Sequence, residues 1–262
     1  MIRALYTATT GMSAQQAQID TTSNNLANVN TTGFKKDRAE FKDLIYQSQD
    51  YTAGNTSQTT VNPTGIDMGL GVRLSNINKL HLQGSLRETG NNLDIAITGK
   101  GFFQIPNEQG DMQYTRDGSF KLDAEGYLVN GSGQKMEPLI GPITSEHVEI
   151  SITEAGGVYG MLQDGTQQQI GQIALAYFPN PAGLKPQGNN VFLQADASGE
   201  PTVAEPGTVG LGRVQQGFLE ASNVSLVEEM MNLISSQRAY EANSKSVSTV
   251  DSMLQVASNL KR

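Results

Sequence analysis

Apolar residues near the start of the chain fall on one stripe, with Leu5, Met12, Ile19 and Leu26 recurring at intervals of seven and Ala, Gln and Ser filling much of the space between. That interval keeps side chains on a single helical face and is the spacing of a seam that meets a partner helix. The far end repeats it: Leu226, Leu233, Tyr240, Val247 and Leu254, flanked by Met230, Ile234, Val250 and Ala257. Ser225 followed by Glu228 has the spacing of a capping box, so a helix is predicted from residue 225 to 260, about 54 Å long. Such a helix needs a partner along its length. On the N-terminal helix, Gln15, Gln16, Thr22 and Ser23 stand where a second apolar row belongs. A helix pair with one strong seam and one weak one gains most when neighbouring copies cover it.

Between the ends the pattern changes. Residues 46–67 are rich in Gln, Thr, Asn, Ser and Gly without sustained periodicity, and read as an extended arm or loop. From about Leu74 short apolar runs separated by turn signals predict strands at 93–97, 101–105, 147–152, 169–178, 191–194 and 212–219. Asp117-Gly118, between apolar-polar runs at 112–115 and 119–122, predicts a hairpin, and Ala124-Glu125-Gly126 a second turn. The predicted fold class is α+β: long N- and C-terminal helices paired as a coiled coil, a central mostly antiparallel β domain and an extended connecting arm.

Gly and Pro sharpen this division, because all nine Pro lie between Pro63 and Pro206, no Gly follows Gly217, and only Gly11 precedes Gly33. Helix breakers are thus confined to the middle. Charge divides the chain in the same way. The formal net charge is -8, and residues 45–219 account for all of it, with 9 basic against 17 acidic side chains. An acidic chain of this kind is no general nucleic-acid binder. With 37% hydrophobic residues, 6% aromatic and no Trp, the composition favours short strands over a large core.

The absence of Cys excludes disulfides, thiolate catalysis and Cys-rich metal sites. The N-terminal segment lacks the apolar core of a signal peptide, and no stretch reaches the ~20 apolar residues of a membrane helix. Direct membrane insertion is not expected, and export would follow a route without a cleaved signal peptide.

Candidate chemistry is thin. His81 and His147 are the two histidines, and neither has ligands or triad partners at a useful spacing, so both read as polar positions on strand faces. Asp123-x-Glu125-Gly126 lacks the other carboxylates of a calcium loop, and a hairpin turn accounts for it. Gly99-Lys100-Gly101 resembles part of a phosphate-binding loop, but neither the helix nor the Walker spacing follows, so close backbone packing is the better reading. Asp94, Asp117 and Glu125 could form a glycosidase pair only in the sense that any chain with 26 acids allows one. Asn-x-Ser/Thr matches at Asn30, Asn55, Asn130 and Asn223 matter only in a glycosylated secretory protein. No catalytic, cofactor or metal site is expected.

Two motifs carry a resemblance. Asn24-Asn25-Leu26-Ala27-Asn28-Val29-Asn30-Thr31-Thr32-Gly33-Phe34-Lys35 resembles the signature of the flagellar rod and hook family of bacterial axial proteins. Glu220-Ala221-Ser222-Asn223-Val224, Gln237-Arg238-Ala239-Tyr240-Glu241 and Asp251-Ser252-Met253-Leu254 resemble that family's C-terminal helix. Within the family the rod subunits are nearer than the longer hook subunit, on Phe41-Lys42-Asp43-Leu44-Ile45-Tyr46-Gln47, Gly71-Val72-Arg73 and Tyr114-Thr115-Arg116-Asp117-Gly118-Ser119-Phe120. The likeness covers nearly the whole chain and is weakest at 48–62 and 140–210.

The resemblance implies a terminal-helix core domain (1–35 with 222–262), a connecting region (36–80 with 208–221, its arm at about 46–67) and an outer β domain (81–207). It implies a non-enzymatic subunit of the distal rod, polymerising into a rigid hollow shaft that crosses the periplasm. Leu5, Met12, Ile19, Leu26, Leu226, Met230, Leu233, Tyr240, Val247 and Leu254 would then form the assembly interface. Implied partners are further copies of the chain, proximal rod subunits, the hook protein, peptidoglycan and outer-membrane ring proteins, and the flagellar export apparatus. The rivals are a proximal rod or hook-type subunit and, from other classes, a cell-wall hydrolase or a β-rich adhesin.

Overall fold

The structure is a computed structural model describing residues 2–49, 66–107, 109–138, 140–143, 147–208 and 210–259. Two helices stand at the ends that lack Pro, α1 (Ile2–Ala27) and α2 (Leu226–Asn259). α2 begins one residue after Ser225 with Glu228 and Glu229 in its first turn, where acidic side chains meet the positive end of the helix dipole. The chain divides into two compact units, one made of Met1–Leu26, Asp37–Asn78 and Leu226–Arg262, the other of Ala27–Lys36 and Lys79–Ser225. It therefore passes from one unit to the other four times.

The first unit holds both helices and four strands, β1 (Asp37–Asp43), β2 (Tyr46–Gln49), β3 (Ile66–Gly69) and β4 (Val72–Lys79). β1 pairs with β4, and β2 with β3 in antiparallel register, Tyr46 opposite Gly69 and Gln49 opposite Ile66. Both edges of the expected polar arm are thus strands, although Tyr46-Gln47-Ser48-Gln49 gives no apolar alternation. The rest of that arm, 50–65, lies outside the described residues.

α2 runs antiparallel to α1. Asn25 Nδ2 donates to Glu229 Oε2 at 3.3 Å, and a Cβ on Gly11 would stand 2.9 Å from Asn243 Nδ2. Residues two heptads apart on α1 thus meet residues two heptads apart on α2. The side chains buried along the helices are small or polar: Ala8, Ala14, Thr21, Thr22 and Asn25 on α1, with Glu229, Ser236 and Val250 on α2. Glu229, Ser236, Asn243 and Val250 form a line three residues on from Leu226, Leu233, Tyr240 and Val247. The contact within the chain therefore follows a polar line, and the apolar row of α2 stands to one side of it.

The second unit contains fifteen strands among its described residues: β5 (Leu86–Glu88), β6 (Ile95–Thr98), β7 (Phe103–Pro106), β8 (Met112–Thr115), β9 (Lys121–Leu122), β10 (Leu128–Val129), β11 (His147–Ile152), β12 (Gly157–Leu162), β13 (Gln167–Gln172), β14 (Leu175–Tyr177), β15 (Lys185–Gly188), β16 (Val191–Leu193), β17 (Thr202–Ala204), β18 (Arg213–Gln216) and β19 (Phe218–Glu220). They form a four-stranded sheet β15-β16-β8-β7, a three-stranded sheet β11-β12-β13, and the pairs β14-β17, β18-β6, β19-β5 and β10-β9. The ladders of this unit are antiparallel. Phe102 and Phe103, adjacent in sequence, serve opposite sides of the sheet as the period of two requires. Phe103 joins Ile95, Ile97, Ile105, Phe120, Val158, Ile173 and Leu175 in the larger core. Phe102 joins Tyr114, Phe178, Leu184 and Phe192 in a smaller, mainly aromatic one.

Three sequence expectations change. Asp117-Gly118 does not join two paired strands, since β8 pairs with β7 and β16 while β9 pairs with β10. The reason is tertiary. Ile95 N–H donates to Gly118 O at 3.0 Å, and a Cβ at position 118 would stand 1.6 Å from Ile95 O, so this glycine serves a close backbone approach. The hairpin with two left-handed residues is instead Asn189-Asn190 (φ 50° and 59°), between β15 and β16. The apolar runs at 169–178 and 212–219 are each two strands, the second broken at Gly217 (φ 78°). The turn at 124–126 is as expected, with Gly126 N–H on Asp123 O at 2.9 Å.

Candidate functional site

The signature motif begins on the last turns of α1. Asn25 is almost wholly buried because its amide meets three groups: Nδ2 donates to Asp37 O at 2.8 Å and to Glu229 Oε2, and Oδ1 accepts Asp37 N–H at 2.8 Å. One side chain thus joins α1, the start of β1 and the first turn of α2. Asn24 Nδ2 donates to Asp37 Oδ2 at 3.2 Å, Leu26 is half-buried and Ala27 exposed.

The remainder of the motif belongs to the second unit. Asn28 Oδ1 accepts the Thr31 hydroxyl at 3.1 Å, and Thr32 donates to Asp117 Oδ1 at 2.9 Å. Gly33 turns the chain with φ 67°, its N–H on Glu220 O at 2.8 Å, and a Cβ there would stand 2.7 Å from Asp117 N. Position 33 is thus restricted twice, by conformation and by space. Phe34 is buried, with Lys79 Nζ 5.0 Å from its ring centroid.

Lys35 is the centre of the motif. Its side chain and that of Glu220 are each 1% exposed, with Nζ 2.5 Å from Glu220 Oε1 and 2.7 Å from Leu82 O. Glu220 Oε1 also accepts Gly84 N–H at 2.9 Å, and Oε2 pairs with Arg116 Nη1 at 3.2 Å. Arg116 Nη2 donates to Gly99 O at 2.6 Å. Burial pushes the Lys35 ammonium below its ordinary pKa, opposed by the Glu220 charge. Lys36 N–H meets Asn223 Oδ1 at 2.7 Å, while Asn223 Nδ2 reaches Leu80 O at 2.8 Å. Four distant segments, at 33–36, 80–84, 116–117 and 220–223, are closed into one charged clasp. Glu220 and Asn223 stand in the C-terminal motif and Arg116 in the rod-like one, yet nothing in their spacing tells that they meet Lys35. The one local signal is a charge set directly beside an apolar residue, as in Phe34-Lys35 and Leu219-Glu220.

The apolar helix positions behave differently. Leu5, Met12, Ile19 and Leu26 are half-buried, as are Leu233 and Val247, whereas Leu226, Met230, Tyr240 and Leu254 are exposed. Val227 and Met231, 66% and 60% exposed, widen this apolar face on the first turns of α2.

His81 lies in the segment between β4 and β5 rather than on a strand, because its ring packs edge-on against Phe102 and Phe192 at 5.7 and 5.4 Å. Burial first, then the charges of Lys35, Arg116 and Lys79, lowers its pKa from 6.5 to about 4. His147 begins β11. Gly99-Lys100-Gly101 is close backbone packing, as expected, for a Cβ on Gly99 would stand 2.8 Å from Gly212 Cα. Among the described residues no group of three or more His, Cys, Asp or Glu could hold a metal ion, and no helix is long and apolar enough to cross a membrane.

Comparison with known proteins bears on the same segments. Residues 5–35 match the profile of the flagella basal body rod protein, 96–160 that of the flagellar hook protein FlgE/F/G D1 domain, and 215–260 that of the flagellar basal body rod FlgEFG protein C-terminal region. The chain is 45% identical over 265 residues to the flagellar basal-body rod protein FlgG of Borreliella burgdorferi, covering 100% of both chains. To the protein of the same name from Agrobacterium fabrum it is 45% identical, covering 99% of this chain and 100% of the other. To that of Bacillus subtilis it is 39% identical, covering 100% of both. The solved flagellar hook protein FlgE2 of Helicobacter pylori matches with 15% identity and a TM-score of 0.26, over 71% of this chain and 43% of that one. On the strength of its full-length relatives and the profiles at both ends, this chain belongs to the flagellar basal-body rod FlgEFG family.

Proposed function

We infer that this chain is a structural subunit of the bacterial flagellar distal rod, polymerising into a rigid hollow helical shaft that transmits torque from motor to hook. One observation carries the reading. α2 has 34 residues but buries only Glu229, Ser236 and Val250, while Leu226, Val227, Met230, Met231, Ile234 and Leu254 stand exposed. A helix with so little of its apolar surface covered gains its stability from neighbours. Leu5, Met12, Ile19, Leu26, Leu233, Tyr240 and Val247 complete the face that other copies cover, and the paired helices, wound as a coiled coil, line the channel. In the shaft the chain works as a helical core (1–35 with 222–262), a connecting region with its arm (36–80 with 208–221) and an outer β domain (81–207).

The contacts are head-to-tail and non-closing, as a tube requires. Its neighbours are copies of itself, proximal rod subunits on one side and the hook protein on the other. Peptidoglycan and the outer-membrane ring proteins surround it where the rod crosses the periplasm, and the flagellar export apparatus delivers it. Its work is mechanical.

Electron microscopy of polymer grown from purified protein tests this. Straight, rigid tubes are the expected result. Supercoiled, flexible ones would make it a hook-type subunit, and a chain that stays monomeric under all assembly conditions would end the reading.

A further inference from the structure

The Gly99-Lys100-Gly101 triplet fixes its backbone tightly and leaves one group free. Gly99 and Gly101 have φ of 113° and 136°, and Lys100 O accepts Gly212 N–H at 2.7 Å. The Lys100 side chain is exposed, with Nζ 6.0 Å from the Tyr177 ring centroid. It stands at the rim of a cleft of about 130 Å³ lined by His81, Phe102, Arg116, Tyr177 and Phe178, with Pro179 and Pro181 at its border. Among the described residues no acidic side chain lines this cleft.

The electrostatics beneath it are unbalanced. Lys35 and Arg116 share the single carboxylate of Glu220, which leaves one positive charge over before Lys100 is counted. Arg116 Nε and His81 Nδ1 are both buried with no hydrogen-bond partner among the described residues, an uncommon condition for buried polar atoms. Burial depresses the proton affinity of His81 most, and the nearby charges of Lys35, Arg116 and Lys79 lower it further. The rest of the β unit has the opposite character, since residues 79–219 carry 8 basic against 15 acidic side chains and Asp164, Asp196, Glu200 and Glu205 are exposed.

We propose that this cleft receives an exposed carboxylate from the β unit of a second copy, with Lys100 at the rim and Arg116 at the base supplying the countercharge. The aromatic floor covers the methylenes of the incoming side chain, and the acidic surface of the second copy is steered to a cationic seat. This rests on the reading of the chain as a polymer subunit, and it adds a lateral contact in the β unit to the contact made by the helices.

Carbodiimide joins an amine to a carboxylate only where they touch, so it tests the contact in polymer grown from equal parts of ¹⁴N- and ¹⁵N-labelled protein. The expected product is Lys100 joined to an Asp or Glu of an oppositely labelled copy. Lys100→Glu is expected to raise the critical concentration for assembly about tenfold relative to the control Lys121→Glu, which makes the same charge change at another exposed lysine. Polymer in which Lys100 stays unjoined or joins only its own copy, or in which the two variants assemble alike, overturns the cleft contact and leaves the subunit reading intact. Wild-type protein that forms no polymer overturns both.

Discussion

Removing the Glu220 carboxylate leaves Lys35 and Arg116 buried beside each other without an anion between them. Glu220→Gln is therefore expected to destabilise the β unit by about 3–5 kcal/mol, the usual cost of breaking a buried pair from one side. Urea denaturation followed by tyrosine fluorescence measures it, and a loss below about 1 kcal/mol would show that the clasp is not what holds these segments. His81 gives a pH dependence of definite sign. The unfolded chain takes up its proton near 6.5, the folded protein only near 4, so stability falls as the pH drops through that window. The loss amounts to at most about 3 kcal/mol and is complete below pH 4. His81→Phe should remove that part of the slope, and an unchanged urea midpoint profile between pH 7 and 4 in the variant would assign it to other groups. At this scale the sequence was only half legible. The signature names Lys35, but its partner stands 185 residues away, and separation along the chain encodes no distance in space. His81, set between Leu80 and Leu82, imitates a strand position although ring packing decides its place.

Among the elements, the helices were the most legible, because a long sequence period free of Pro leaves little else for those segments to become. What periodicity did not reveal is which side meets the chain's own partner helix. The polar line through Glu229, Ser236 and Asn243 was hidden beneath the more conspicuous leucine row, since small and amide side chains also permit close approach. Leu233→Asp, on the half-buried edge of that row, is expected to raise the critical concentration at least about a hundredfold. The urea midpoint of the β unit should stay unchanged, and sedimentation with denaturation of the same sample checks both. The distal part of α2 is weakly built as well: Ser246, Ser248, Thr249 and Ser252 each bond the carbonyl four residues back, a habit that slightly loosens a helix. Among the strands, Asp117-Gly118 misled because its glycine answers to β6 and not to a turn. Gly118→Ala is expected to cost at least about 3 kcal/mol, since the added carbon meets a backbone carbonyl that cannot swing aside. A melting temperature within a degree or two of wild type would show that β6 can retreat.

For the whole molecule, the separation into helical ends and a β-rich middle was readable from Gly, Pro and charge. The interleaving of the two units was not, for 27–36 goes with the β unit and 37–78 with the helices. In the shaft proposed above, the polar stretch between β2 and β3 would stiffen the polymer. Replacing residues 50–65 by an Asn-Gly turn keeps the ladder and is expected to leave a tube that assembles but bends more readily, and an unchanged persistence length in micrographs would remove the arm from the account of stiffness. The clasp has a temporal side too. Its Lys35 and Glu220 are separated by 185 of 262 residues, and the late strands β18 and β19 pair with the early strands β6 and β5. Contacts of such long range close late, because the intervening chain must be gathered first. Were the chain threaded end first through a narrow passage, as the proposed export requires, the β unit would stay open until Lys35 and Glu220 were both on the far side. The order in which these contacts close is written into the topology.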